Sequence, residues 1–583
     1  MDIAGLSTWL WIETGSNQEY IFATNKQRLQ VAASAVVRSI GLEWIPEAVA
    51  DVAKDRGQDE SAYEVVIKAS GLGVMLVPDV DFGSEVIRRV TERAVRERAS
   101  IDLWGVTRDR EPDESLAQSF EATKRLHSSA RSSRPPVAAR RQGNPFSARC
   151  AITNEPAAFL GPERGQYLSA EVATGWRAAK QARDALVSGL KVDDPDTNAR
   201  IDQAIITAAD LGAGIELRNN GWYGVLHADG NRVGSIFSNL GCGYDGAEWL
   251  ACEKKLSQQM NTLMSSAVTD AILAVSKKTG VNQAQSWFLP IIIGGDDITA
   301  VMDARWALHF SHELAQAFEQ RFNDPLESDF PSVLERLRQK DVTSVPDRLS
   351  LGMGLAFVKP HHPFNHAVAL ANDLAHSAKA FRTNASAIDV QAVFEPSVRP
   401  LEEIRAEMVV PGKHQFTPIL GPFLVGDPAR PSDASGAQLA PLEHSVATIT
   451  ALPEKLTEGS DRFTSRVAIA ELREALAGGR DEDTYEASVN RALGQCGLWL
   501  RRRIPSDGKE AGEGDRIRRA LDSDLRLEKL APDQDMRWPG RFSIDGFFGG
   551  QASTLGEQPH RMALLTALEL ADVQRGTVEG QER

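Results

Sequence analysis

An α+β fold is predicted by three features of this sequence. Short apolar runs of strand length alternate with amphipathic stretches of helix length. One such run, residues 289–301, is interrupted by Gly294, Gly295, Asp296 and Asp297 before turning apolar again, as a hairpin with an acidic turn would be. The order strand, helix, hairpin, helix, strand, helix is also traced in the first 130 residues, without repetition of the sequence.

In the first half the predicted elements are a strand from Thr8 to Ile12, a helix from Asn17 to about Trp44, and a hairpin from Tyr63 to Pro78 turning at Gly71-Leu72-Gly73. A helix from Ser84 to Arg98, a strand from Ile101 to Val106 and a helix from Ser115 to His127 complete it. The stretch Lys124–Cys150 holds Lys124, Arg125, Arg131, Arg134, Arg140, Arg141 and Arg149 with Pro135-Pro136, and reads as an exposed loop. It serves as a solvated linker or as a contact for phosphates.

The second half opens with a strand from Trp222 ending at Asp229, then a helix from about Arg232. A long helical stretch from Asp245 to Thr279 carries Leu256, Met260, Leu263, Met264, Ile272 and Val275 at helical spacing and is closed by Gly280. After the acidic hairpin, Trp306, Phe310, Leu314, Phe318 and Phe322 recur every four residues on a core-facing helix that stops before Pro325. A strand Leu349–Val358 leads into a helix from Pro363 to Lys379. A linker, residues 426–436, precedes a helical C-terminal region whose basic clusters, Arg501–Arg503 and Arg516, Arg518 and Arg519, read as exposed helix faces. The expected domains are 1–130, 131–215, 216–425 and 426–583.

The chemistry sits at two places. Gly294 and Gly295 remove Cβ atoms that would block a tight turn or a triphosphate, and Asp296 and Asp297 supply the hard oxygen ligands Mg²⁺ prefers. Asp229 closes the preceding strand. In nucleotidyltransferase and cyclase palms, ferredoxin-like sheets, such a strand-end carboxylate lies beside the acidic hairpin and the group clamps two divalent ions. Without cations three crowded carboxylates repel one another. In the first half Leu72 stands where these carboxylates would be, so that half reads as a degenerate palm supplying one wall of the site. His227, two residues before Asp229 on the same strand face, is either a substrate contact or a packed strand histidine.

At 583 residues the chain has ample material for a large core. With 65 basic against 80 acidic residues the formal net charge is -15, which argues against indiscriminate coating of nucleic acid. Cys150, Cys242, Cys252 and Cys496 form no Cys-x-x-Cys pair, so neither a disulfide framework nor a self-contained zinc ribbon is indicated. No apolar run has the length of a membrane span, and a soluble, cytoplasmic protein without membrane contact is expected.

Laid out in this way, the chain resembles the large palm-domain subunit, the Cas-ten family, of type III CRISPR effector complexes, in the form lacking the HD nuclease domain. The resemblance is carried by residues 14–22 with Arg28 and Ala33-Ser34, by Asp229-Gly230-Asn231-Arg232-Val233-Gly234, by Gly294-Gly295-Asp296-Asp297, and by Ser350–Val358 followed by Pro363 through Lys379. It implies two palms, a connecting insert and a helical C-terminal domain. It implies conversion of ATP to cyclic oligoadenylates with two Mg²⁺ or Mn²⁺ ions, and guide RNA, target RNA and companion subunits as partners.

Carried over by residue, Asp229, Asp296 and Asp297 hold the metals and are catalytic. Gly230, Gly234, Gly294, Gly295 and Ser350 belong to the nucleotide site, and Lys379 neutralises phosphate charge unless it is an ordinary helix-end lysine. Three departures stand out. No His-Asp dipeptide occurs, so DNA cutting is not expected; Thr153 replaces a cysteine partner of Cys150, so metal binding there is doubtful; and Asn231 stands where an aspartate is common. The competing expectations are a stand-alone palm-domain cyclic nucleotide synthase and an inactive scaffold that binds RNA and small subunits.

Overall fold

The computed structural model describes residues 5–425 apart from 98–100, 136–145, 162–164, 207–220, 279–285, 361, 395–398, 408–415 and 418–420; beyond 425 it describes 487–489, 491, 528–529, 540–541 and 560–561. The expected linker at 426–436, most of the helical C-terminal domain with its arginine clusters, and Arg140, Arg141 and Gly280 lie outside the described residues.

The first half runs β1 (Thr8–Gly15), α1 (Asn17–Ile21), α2 (Gln27–Ser39), α3 (Ile45–Asp55), β2 (Glu64–Ala69), β3 (Leu72–Val77), α4 (Val80–Arg96), β4 (Asp102–Asp109) and α5 (Leu116–Ser133). Its sheet has the order β2-β3-β1-β4, antiparallel throughout. The period-two alternation of β1 explains why both faces are covered. Trp9 and Trp11 pack with Phe120 and Trp249 on one face, and Leu10 and Ile12 pack with Ile45, Val49, Phe82 and Val86 on the other.

Two expectations are corrected here. The single helix expected from Asn17 to Trp44 is divided, α1 and α2 being separated by a turn and α2 passing into α3 through a π-helical turn, Ile40–Trp44. At Gly41 in that turn an added Cβ would stand 1.7 Å from the Ala69 carbonyl oxygen, so the helix lies directly on the β2–β3 hairpin. The basic loop expected from Lys124 begins later, because α5 continues through Ser133, which places Lys124 and Arg131 on a helix.

A connecting region contributes α6 (Ala170–Ser188), packed on α2, and α7 (Pro195–Ala204). The second half then runs β7 (Tyr223–Gly230), α8 (Val233–Gly243), α9 (Gly246–Lys278), β8 (Phe288–Gly294), β9 (Asp297–Asp303), α10 (Ala304–Asn323), α11 (Phe330–Arg338), β10 (Leu351–Val358), α12 (Phe364–Phe381) and β11 (Ala387–Ala392), β5 and β6 being the short pair Phe159–Leu160 and Tyr167–Leu168. Its sheet reads β11-β10-β7-β9-β8, with a two-residue strand, Phe423–Leu424, beyond β11. Numbering four strands of each half in chain order, both sheets show the order 4-1-3-2, the ferredoxin-like arrangement. Phe310, Leu314, Phe318 and Phe322 of α10 are fully buried, as their spacing predicts.

The 33-residue helix α9 joins the halves. Trp249 meets Trp9 and Phe120 edge-on with ring centroids 6.4 and 5.1 Å apart, and Lys254 pairs with Glu64 at 2.5 Å. One continuous apolar core therefore contains residues from both sheets. Among the described residues no helix is long and apolar enough to cross a membrane.

Candidate active site

The site is built at the end of β7. Antiparallel pairing sets Asp229 directly opposite Asp297, the first residue of β9, and the β8–β9 turn folds Asp296 over the strand end. Like charges opposite one another across a ladder are unfavourable, so this register needs a compensating charge. The glycines make it possible. A Cβ on Gly230 would stand 2.9 Å from the Asp296 Cβ, and the Gly230 N–H donates to the Asp296 carbonyl at 3.2 Å. Gly295 adopts φ +62°, and its N–H donates to Asn261 Oδ1 on α9 at 2.9 Å. Gly294 faces the first half, where a Cβ would lie 3.2 Å from Ser70, whereas Gly234 has open space around it.

Lys379, in the last turn of α12, reaches across β10 to pair with the Asp229 carboxylate, and its ammonium lies 3.4 Å from the Gly230 carbonyl. Close packing over Gly352, where a Cβ would meet the lysine stem at 2.2 Å, leads the side chain there. Ser350 is fully buried: its hydroxyl accepts from Asn231 Nδ2 at 2.9 Å and donates to the Thr383 carbonyl at 3.2 Å, and its own carbonyl accepts the Asn231 N–H at 2.8 Å. That network fixes the turn after Asp229, where Arg232 takes φ 56° before α8 begins.

The carboxylates are short of positive charge. Burial, followed by the neighbouring Asp229 charge, pushes Asp296 up to about 7 against the opposing pull of Lys379. Burial and the charges of Asp229 and Asp296 push Asp297 well above the usual carboxylate range. Asp297 Oδ1 is sealed from solvent without a hydrogen-bond partner, although the side chain as a whole keeps 32 % of its exposure. His227 is buried, pairs with Thr299 Oγ1 at 3.1 Å and lies 3.4 Å from Asp297 Oδ1; burial drives it down to about 4, so it is neutral. An unpartnered oxygen on Asp297, beside the likewise raised Asp296, has the chemistry of a site for a hard cation. The side chains do not yet converge as ligands, since no three His, Cys, Asp or Glu groups among the described residues have the spacing to hold a metal ion.

A cavity of about 500 Å³ opens beside the acidic turn, within the range of small-molecule sites. Its second-half wall includes Gly234, Gly295, Asp296, Asn261 and Glu253, and its first-half wall includes Glu13, Leu72, Lys124, His127 and Arg131. His127 stacks on Trp104 at 4.7 Å, lies 3.5 Å from Glu13 Oε2, and is driven down to about 4 by burial. Sequence reading missed Asn261, Glu253, Glu13 and His127, and read Lys124 and Arg131 only as loop cations. A polar residue every fourth position, 253, 257 and 261, along the apolar spacing of α9 is the signal it passed over.

Residues 222–387 match the family model described as Cas10/Cmr2, second palm domain. No curated protein matches the sequence. Similar solved structures include a Csm1-Csm4 cassette in complex with cA4, 14% identical, with 98% of this chain and 70% of that chain covered at a TM-score of 0.44. Csm1 in T.onnurineus is likewise 14% identical, with 98% and 70% covered at 0.44. Asp229, the acidic hairpin and Lys379 all fall inside the residues matched by that family model.

Proposed function

We propose that this chain joins ATP molecules into cyclic oligoadenylates, as the large subunit of a type III CRISPR RNA-guided complex in the cytoplasm. The observation that carries this reading is the cavity between the acidic turn, which lies inside the Cas10/Cmr2 palm match, and a wall from the first half. The first half, with the same sheet order and Leu72 at its turn, acts as a degenerate palm, so one chain offers both walls.

Asp229, Asp296 and Asp297 would hold Mg²⁺ or Mn²⁺. Bound there, two such ions lower the pKa of an attacking ribose hydroxyl and offset charge on the departing pyrophosphate. The chain's own groups do the positioning. Gly230 and Gly295 shape the turn on which the triphosphate lies, Gly294 seats it against Ser70, and Gly234 leaves the mouth of the cavity open. Lys379 exchanges its contact with Asp229 for a phosphate oxygen, while Asn231 and Ser350 keep the strand-end turn rigid. In each joining step a bond forms between the ribose oxygen and the α-phosphorus, the bond to pyrophosphate breaks, and the hydroxyl proton passes to solvent.

The Lys379–Asp229 pair favours one rival, an inactive scaffold whose acids are neutralised from within. Incubation of the purified chain with each NTP and Mg²⁺ or Mn²⁺, with and without co-purifying guide and target RNA, separates the readings by product mass. Cyclic oligoadenylate formed from ATP and increased by target RNA is the expected result. Full activity without RNA or companion subunits would identify a stand-alone synthase, and no product under any condition a scaffold.

A further inference from the structure

We propose that Glu253 is the base-reading residue of the inter-half cavity, hydrogen-bonding the 6-amino edge of an adenine bound there; the inference rests on the nucleotide-binding reading above. Glu253 is 1% exposed, lines the same cavity as Asp296, and its Oε2 is sealed from solvent with no hydrogen-bond partner among the described residues. A buried carboxyl with an unpaired oxygen disfavours folding, so its presence calls for a ligand that completes it.

Position supports the assignment. Asn261, which accepts the Gly295 N–H, lies two helical turns beyond Glu253 on α9, and Ser257 and Met260 between them also face the cavity. One face of the helix thus leads from the acidic turn to Glu253, about 12 Å along the axis. A nucleotide whose phosphates rest at the turn extends its base along that face.

Chemistry supports it too. Burial pushes Glu253 up to about 8, opposed by Lys124 and reinforced by Glu121, both on α5. At neutral pH the group is therefore a carboxylic acid with one donor and one acceptor. Adenine presents the complement, an N6 amino donor beside a ring-nitrogen acceptor. A site built to pair such groups rejects analogues that lack one of them, because its own polar group is then left unpaired.

Isothermal titration of the full-length chain with Mg²⁺ and either ATP or purine riboside triphosphate, which lacks the 6-amino group, tests the proposal. Wild type should bind ATP about tenfold more tightly, equivalent to ~1.4 kcal/mol. Glu253→Met should bind the two alike, and Glu253→Gln, which keeps a donor and an acceptor, should retain most of the preference. Glu253→Ala serves the same comparison if the methionine variant does not fold. An undiminished preference in the variant without hydrogen-bonding groups, or equal weakening toward both ligands, overturns the role of Glu253. Wild type that binds both ligands equally also overturns it while leaving the nucleotide site standing. Failure of wild type to bind either ligand overturns the nucleotide-binding reading and this inference with it.

Discussion

Lys379 and Asp229 come from opposite ends of the second half, yet their side chains meet at the strand end where Asp296 and Asp297 are also held. The ammonium places positive charge beside an acidic cluster in which burial raises Asp296 and Asp297. Lys379→Ala should therefore make the fold depend more on added cations. Thermal melts should show Mg²⁺ raising the midpoint of the variant more than that of wild type, because a ligand that binds the folded state stabilises it; equal shifts would mean that the lysine does not stand in for a cation. Glu253 gives a second residue-level outcome. Burial raises its folded pKa to about 8 from the ordinary 4.5, so the folded chain retains a proton that the unfolded chain releases between those values. Stability from this group is fully present below the lower value and declines as pH rises through the window. Glu253→Gln should match wild type near pH 4.5 and exceed it at pH 8 by on the order of 1–3 kcal/mol in denaturant titrations. A constant difference across that range would show that Glu253 does not titrate as described. The acids at 229, 296 and 297 were legible in the sequence because glycines and flanking strands frame them locally. Glu253 was not, because a polar residue in an amphipathic helix resembles a solvent-facing one until the partner helix is in place.

At the scale of elements, close backbone approach decides where side chains are tolerated. A Cβ on Gly354 of β10 would lie 1.9 Å from the Ala371 carbonyl oxygen and 2.4 Å from the Ala375 nitrogen of α12. Gly354→Ala must push that helix away and should cost at least roughly 1–3 kcal/mol, measured by denaturant unfolding. Gly234→Ala meets nothing within 4 Å and sits in a helix, so it should leave stability unchanged or slightly raised. Its effect should instead fall on ATP turnover, through the methyl group added at the cavity mouth. Strand positions and the α10 core followed from local periodicity, and α10 ends ahead of Pro325 as the sequence indicates. The break in the expected Asn17–Trp44 helix did not, because its packing against the Ala69 carbonyl is a contact between elements distant in sequence. The overrun of α5 past His127 had a local stop available in Pro135-Pro136, but the density of arginines drew the reading toward a loop.

At the scale of the molecule, the two sheets repeat the 4-1-3-2 order and one apolar core joins the two halves among the described residues. The repeated order of elements was visible in the sequence, but the composition of the first-half wall was not, since Glu13, Lys124, His127 and Arg131 are brought together only by β1 and α5. Trp249, 2% exposed between Trp9 and Phe120, anchors that junction. Its replacement by alanine should cost about 3–5 kcal/mol. The measurement that tests the central claim most directly is pyrophosphate release from ATP by the Asp296→Ala/Asp297→Ala double variant beside wild type, in Mg²⁺ or Mn²⁺ and with target RNA present. The acidic turn as the catalytic metal site predicts loss of release with the fold and RNA association intact; undiminished turnover in the double variant would contradict it.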